Sequence, residues 1–395
     1  MLYRQDKRAG LELSGLGFGC MRFPRKGGGF DFEKASELIR AAVGGGVNYL
    51  DTAYIYGNSE VTLGKILSTF GLRDKVYIAT KMPLFLVRGP GDFDKYFNRQ
   101  LERLQTDYID YYLLHMLGDM KVWNKLREFG IENWISLKKS EGKIGGIGFS
   151  YHGGREQFPL LLDTYDWDFV QIQYNYMDES NQAGRDGLEL AASKDLPVIV
   201  MEPLLGGKLT GELPQNAKDL FTKADPSMTP AEWALRWVWD QPGVTVVLSG
   251  MSTMPQLEEN MRVAGDAAPG CLNDAKKAVI ADVKKTVNAS IKVPCTSCGY
   301  CMPCPAGVDI PTCFSSYNTI FSYSKWTAMR THMQNINALG ASPRFGSLCK
   351  NCGKCETHCP QGIQIQENLK AASKALEPWW FKAASGVFRK ITKRA

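Results

Sequence analysis

Eight of the eleven cysteines fall in two short runs near the C-terminus. The first reads Cys295-Thr-Ser-Cys298-Gly-Tyr-Cys301-Met-Pro-Cys304-Pro305. The second reads Cys349-Lys-Asn-Cys352-Gly-Lys-Cys355-Glu-Thr-His-Cys359-Pro360. Closed zinc sites draw their four thiolates mostly from separated C-x2-C pairs. A run of four ending in Cys-Pro fits a 4Fe–4S site better, and the second run matches the C-x2-C-x2-C-x3-C-P spacing in full. The first is one residue shorter before its last Cys. Where two such runs occur together, the fourth Cys of each ligates the other cluster. The spacing therefore predicts one cluster on Cys295, Cys298, Cys301 and Cys359, and a second on Cys349, Cys352, Cys355 and Cys304. Such a chain carries electrons one at a time. Cys20, Cys271 and Cys313 are scattered and read as packed thiols.

The cysteines occupy only the last quarter of 395 residues. No charged n-region followed by an apolar stretch opens the chain, so the expected compartment is the cytoplasm. No run of about 18 apolar residues predicts a transmembrane span. The net charge of +6 is mild, and no basic stripe with a recognisable motif points to nucleic acid.

Upstream of the cysteines, runs rich in β-branched and aromatic residues alternate with amphipathic stretches. Strands are predicted at 16–23, 48–53, 76–81, 108–115, 144–150, 169–175, 197–202 and 244–249. Helices are predicted at 31–43, 58–70, 92–105, 122–141, 182–194 and 229–240. Eight strands alternating with helices over about 250 residues predict an α/β fold, a (β/α)8 TIM barrel. A doubly wound sheet would want G-x-G-x-x-G after the first strand, and Gly15, Gly17 and Gly19 lack that spacing. The expected organisation is a barrel over 1–270 and a connecting helix over 271–294. A small, mainly helical two-cluster domain follows over 295–375, then a basic amphipathic tail over 376–395.

Barrel chemistry sits at the C-terminal ends of strands. Reading those ends gives Asp51 and Tyr56 after the second strand, Lys81 at the third and His115 at the fourth. Singly, each reads as an ordinary loop residue. Together they can do proton chemistry: Lys81 lowers the pKa of the Tyr56 phenol, Asp51 holds Lys81, and His115 orients a carbonyl.

Asp51-Thr-Ala-Tyr-Ile-Tyr56-Gly, followed by Lys81 and His115, resembles the catalytic tetrad of aldo-keto reductases over roughly residues 1–265. With the ferredoxin-like cysteine runs, the whole resembles the iron–sulfur aldo-keto reductases of anaerobic bacteria and archaea. The resemblance implies an oxidoreductase acting on C=O or CH–OH groups, with Tyr56 as the general acid. It also implies NAD(P)H, with Ser150 and Gln171 at the nicotinamide carboxamide and Met201 where many members stack an aromatic ring. Gly250, Ser252, Gln256, Glu259 and Asn260 would meet the adenosine end. Members that clamp an NADP 2′-phosphate place Lys and Arg where this chain has Gly250 and Gln256, so NADH, weak NADPH binding and no nicotinamide all stay open. Glu259 and Asn260 also read as polar residues of a helix surface. The 44 residues between the cysteine runs read as helical.

Nicotinamide moves two electrons and a 4Fe–4S cluster moves one, and a flavin is the usual bridge. Gly206-Gly207-Lys208 and Ser249-Gly250 suit a pyrophosphate or an FMN phosphate equally. Three functions follow: a nicotinamide-dependent carbonyl reductase or alcohol dehydrogenase coupled to the clusters; a ferredoxin-driven reductase without nicotinamide; and an electron-transfer subunit docking on a redox complex. The partners implied are a small carbonyl or alcohol substrate and a carrier such as ferredoxin or flavodoxin. Tyr54, Phe85, Trp123 and Tyr151 read as substrate-facing aromatics, Trp233 and Trp237 as packing on the barrel, and His358 as a surface or outer-shell residue. The tail over 377–395 mixes aromatic and basic residues. It either packs back on protein or lies on an anionic membrane surface.

Overall fold

The structure is a computed structural model that describes residues 1–295, 299–336, 343–359 and 361–383, with Gln334 described by its backbone alone. By its internal packing the chain divides into two units. One comprises Met1–Leu209 with Met228–Ala278, the other Thr210–Ser227 with Val279–Ala395. The excursion over 210–227, which carries the helix Gln215–Ala224, thus groups with the C-terminal unit. The boundary falls inside the helix Asp274–Ala289.

Eight strands close the first unit into a parallel barrel in chain order. They are β1 (Leu16–Gly19), β2 (Tyr49–Asp51), β3 (Tyr77–Met82), β4 (Ile109–Leu114), β5 (Ile144–Tyr151), β6 (Phe169–Gln173), β7 (Val198–Met201) and β8 (Val244–Ser249). The (β/α)8 expectation is met. Four strands begin at their predicted start and the other four one residue after it, because continuous apolar runs mark strands buried on both faces. The first strand ends early: Cys20–Arg22 turns into a 3-10 helix where an extended run to 23 is predicted. The helix predicted over 122–141 is two helices, Met120–Glu128 and Ile131–Ser140, because Gly130 adopts φ +84°. That left-handed conformation costs glycine little and breaks the helix.

The barrel is filled by side chains from β2, β3, β4, β6, β7 and β8, including Tyr49, Ala79, Tyr111, Phe169, Ile199 and Val246. Gly17 has no side chain because Leu248 and Val246 take its place: a Cβ there would sit 2.7 Å from each. An antiparallel hairpin, Tyr3–Asp6 with Leu11–Ser14, supplies Leu13 to this core. The Tyr111 hydroxyl donates to Asp6 at 2.7 Å and ties the hairpin to the barrel. Trp233, Trp237 and Trp239 are all buried in the helix Pro230–Trp239, and Trp239 Nε1 donates to the Gly15 carbonyl.

The second unit is built on the helices Ile310–Ser322, Lys325–Asn335 and Ile365–Leu376. The first two meet the expectation of helix between the cysteine runs; residues 337–342 lie outside the described residues. Asp309 caps the first helix through the Thr312 N–H, with Pro311 in its first turn. Val308, Phe314, Ala328, Leu369, Leu376 and Phe381 form its core, and cysteines of both runs pack against that core. Glu377, fully buried, accepts the backbone N–H groups of Gly346 (2.7 Å) and Ser347 (3.2 Å) and faces His332 Nε2 at 3.3 Å. It fixes the backbone that leads into the second cysteine run.

Candidate active site

The barrel register brings the four expected proton-handling groups to one end. Asp51 is the last residue of β2, Lys81 lies one residue before the end of β3, and His115 follows β4 directly. Tyr56 reaches in from the loop before the helix Ser59–Phe70. Lys81 Nζ donates to Asp51 Oδ1 (2.8 Å), Asp51 Oδ2 (2.6 Å) and the Thr52 carbonyl (2.7 Å). It also lies 5.0 Å from the centre of the Tyr56 ring. The Tyr56 and His115 rings meet edge to face, with centroids 6.0 Å apart. Behind Lys81, buried Gln100 donates to the Lys81 carbonyl and to Glu60, which also accepts from Thr80 and Arg103. Each member of that buried polar layer has a partner.

Burial pushes the Tyr56 phenol above its ordinary value, Lys81 pulls it back, and Asp51 and Glu202 push it up again. Burial alone would lower the Lys81 ammonium, but Asp51 and Tyr56 outweigh it and hold the ammonium above its ordinary value. Burial, the Lys81 charge and nearby His152 together bring His115 down to about 3. At neutral pH this gives a charged lysine, a protonated phenol and an uncharged imidazole. The pattern is that of a proton donor tuned by a cation, next to a neutral hydrogen-bonding ring.

The expected cofactor residues separate into two groups. Ser150 and Gln171 are paired across β5 and β6. Gln171 Nε2 donates to Asp51 at 3.0 Å, and its Oε1 is buried without a partner among the described residues. Ser150 Oγ accepts the Met116 N–H. Met201 ends β7, half-buried against the barrel core. At β8 the residues engage one another. Gln256 Oε1 accepts from the Ser252 N–H and hydroxyl, Asn260 Nδ2 donates to Ser249, and Glu259 accepts from Thr229. A side chain at Gly250 would meet the stem of Arg22 at 3.1 Å.

Arg22 is a residue that the sequence reading missed. From the turn after β1 it donates to the Gly206 carbonyl at 2.9 Å and lies over the glycines of the β7 and β8 loops. Reading the end of the first strand as the next three were read would have found it. His152, also missed, is exposed and near enough to bear on His115. Two expected substrate-facing aromatics are core residues instead. Trp123 and Tyr151 are 0% exposed, Trp123 against Trp167 and Tyr151 against Phe149 and Phe158. Tyr54 packs edge-on against Tyr96 and under Arg103, while Phe85 is exposed.

In the second unit the cysteines gather at two cavities. One, of about 270 Å³, is lined by Cys301, Cys304, Cys349, Cys352 and Cys355, with His358 at its edge. Cys295, Cys301 and Cys359 line the other. Cys298 lies outside the described residues, as do 384–395 of the basic tail. Among the described residues no helix is long and apolar enough to cross a membrane.

Residues 15–266 match the model of the aldo/keto reductase family, and residues 294–364 match that of a 4Fe-4S dicluster domain. Aldo-keto reductase YhdN of Bacillus subtilis is 27% identical over 303 residues, 67% of this chain and 89% of that protein. The NADH-specific methylglyoxal reductase of Escherichia coli is 27% identical over 299 residues, 64% of this chain and 90% of its own length. Among solved structures, aldo-keto reductase AKR11C1 from Bacillus halodurans, in its holo form, is 27% identical with a TM-score of 0.59, over 72% of this chain and 96% of that one. The closed barrel, the tetrad at its strand ends and a family match spanning most of the sequence agree: the chain belongs to the aldo/keto reductase family and continues into a 4Fe–4S dicluster domain.

Proposed function

We propose that the protein reduces a carbonyl compound, or oxidises the matching alcohol, with a nicotinamide cofactor, and exchanges electrons with one-electron carriers through two 4Fe–4S clusters. The observation that carries the first half is the buried Lys81–Asp51 pair beside Tyr56 and His115. In reduction the Tyr56 hydroxyl gives its proton to the substrate oxygen, and the Lys81 ammonium stabilises the phenolate left behind. Neutral His115 hydrogen-bonds the same oxygen and fixes its position. In oxidation the same groups work in reverse. General acid catalysis of this kind contributes about 10²–10⁴-fold.

A nicotinamide, when bound, supplies or takes the hydride. The residues fit it: the partnerless Gln171 Oε1 is an acceptor for a carboxamide N–H₂, with Ser150 beside it. Arg22, over Gly206 and Gly250, offers a cation to a pyrophosphate. With no cation at 250 or 256 to clamp a 2′-phosphate, the site favours NADH. The NADH specificity in the name of the E. coli relative is in keeping with that preference.

The two thiol-lined cavities support the second half. Cys304 with Cys349, Cys352 and Cys355 would hold one cluster, and Cys295, Cys298, Cys301 and Cys359 the other. A cluster supplies one-electron transfer. A flavin held by the Gly206–Lys208 and Ser249–Gly250 segments would join one-electron to two-electron chemistry.

The test is anaerobic isolation of the whole chain, with release and quantification of iron, sulfide, flavin and nicotinamide, and assay of carbonyl reduction with NADH and NADPH. About eight irons per chain with NADH-dependent turnover that Tyr56→Phe abolishes is the expected result. Fewer than about four irons would sink the two-cluster reading. Turnover unaffected by Tyr56→Phe would sink the catalytic one.

A further inference from the structure

The two thiol-lined cavities have different surroundings. The one holding Cys295 and Cys359 is walled by Ile310, Pro311, Phe314, Ile363 and Ile365, and no charged side chain lines it among the described residues. The one holding Cys304, Cys349, Cys352 and Cys355 has Lys350, Lys354 and His358 on its rim, all exposed. Cys352 itself is exposed, whereas the other described cysteines of both runs are partly buried. Tyr300 lines the same cavity and is 68% exposed. No Asp or Glu lines it among the described residues. Glu356, next to Cys355, accepts the Gln366 N–H at 2.8 Å.

From this contrast we infer that the face around Cys352, Lys350, Lys354 and Tyr300 is the docking surface for an acidic one-electron carrier protein. The inference rests on reading Cys304, Cys349, Cys352 and Cys355 as the ligands of one cluster. A cluster held there presents its Cys352 edge to solvent. Two lysines flanking that edge, with no carboxylate among the described residues that line the cavity, attract a carboxylate-rich surface and speed encounter with it. Exposed Tyr300, lining the same cavity, supplies the apolar contact typical of interface cores. In the transfer the carrier's reduced cluster loses one electron and is oxidised, and the cluster of this chain gains it and is reduced.

The competing account is that the lysines only offset the charge of the cluster beside them. The two accounts part when the reductant is changed. The anaerobic full-length protein, oxidised, is mixed in a stopped-flow cell with a reduced acidic plant-type 2Fe–2S ferredoxin, and separately with titanium(III) citrate. Docking requires the bimolecular rate with ferredoxin to fall by about ten-fold or more in Lys350→Glu/Lys354→Glu, with loss of its dependence on ionic strength. The rate with titanium(III) citrate then changes far less. Equal changes with both reductants, or a shifted cluster potential that accounts for them, overturn the docking surface. Salt dependence in the unaltered protein is an independent check: a ferredoxin rate that does not fall as salt rises overturns the inference without any variant. Iron measured on the same samples separates the two levels. About eight irons per chain with an unchanged ferredoxin rate removes the docking surface alone, and fewer than about four removes the cluster reading beneath it.

Discussion

In the barrel the reactive groups are one another's partners; in the helical unit they converge on cavities. Lys81 is held by both oxygens of Asp51 and by the Thr52 carbonyl, and Asp51 also receives Gln171. The ion pair at the centre of that site is held by protein groups alone, while Gln171 Oε1 and His115 Nδ1 stay without partners among the described residues. The thiols of the second unit face cavities beside a small core. Clusters bound by those thiols, as proposed, would contribute to folding itself, as metals do in other small metal-dependent domains. On the proposed function, catalytic competence and electron supply would depend on different kinds of stability.

The sharpest break in that comparison is to remove one ligand. Cys355→Ser is expected to bring iron from about eight to about four per chain and to lower the melting of the helical unit by far more than that of the barrel, read by calorimetry on the anaerobic protein. Equal loss in both would dissolve the distinction. Next comes Tyr56→Phe, expected to cut carbonyl turnover by about 10³-fold, or about 4 kcal/mol, while iron content and cluster reduction stay as they were.

Acid separates the units in a third way. His115 is held at about 3 in the folded barrel, against about 6.5 in an unfolded chain. Between those values the unfolded chain binds a proton that the folded one does not, so stability falls as pH drops below about 6.5 and goes on falling to about 3. The full loss is of order 5 kcal/mol. His115→Asn should flatten that slope, and an unchanged slope of melting temperature against pH would deny His115 the role. The smallest expected effect is in the helical unit. Glu377→Gln keeps the shape but leaves two backbone N–H groups and His332 with a weaker acceptor, costing about 1–3 kcal/mol in that unit's unfolding and nothing in carbonyl turnover.

The sequence made the barrel legible because its strands are continuous apolar runs and its tetrad sits at strand ends in the order the fold requires. The 4Fe–4S domain was legible from cysteine spacing. What stayed hidden depends on tertiary neighbours. Nothing local distinguishes Trp123 or Tyr151, buried among Trp167, Phe149 and Phe158, from aromatics that line a substrate site. The affiliation of residues 210–227 with the second unit is set by packing across the chain. Glu377 lies some thirty residues from the N–H groups it anchors, and no periodicity links them. Arg22 gains its place from glycines at 206 and 250, each unremarkable on its own.

The exposure of Cys352 sets a clock. An opening that admits an electron carrier to a cluster edge admits dioxygen as well, so the proposed electron entry and the point of oxidative attack are the same few square ångströms. The barrel, closed on itself and holding its lysine by internal bonds, has no such opening in its ion pair. In air the molecule would therefore age in two stages, first losing its connection to one-electron carriers and much later its power to protonate a carbonyl.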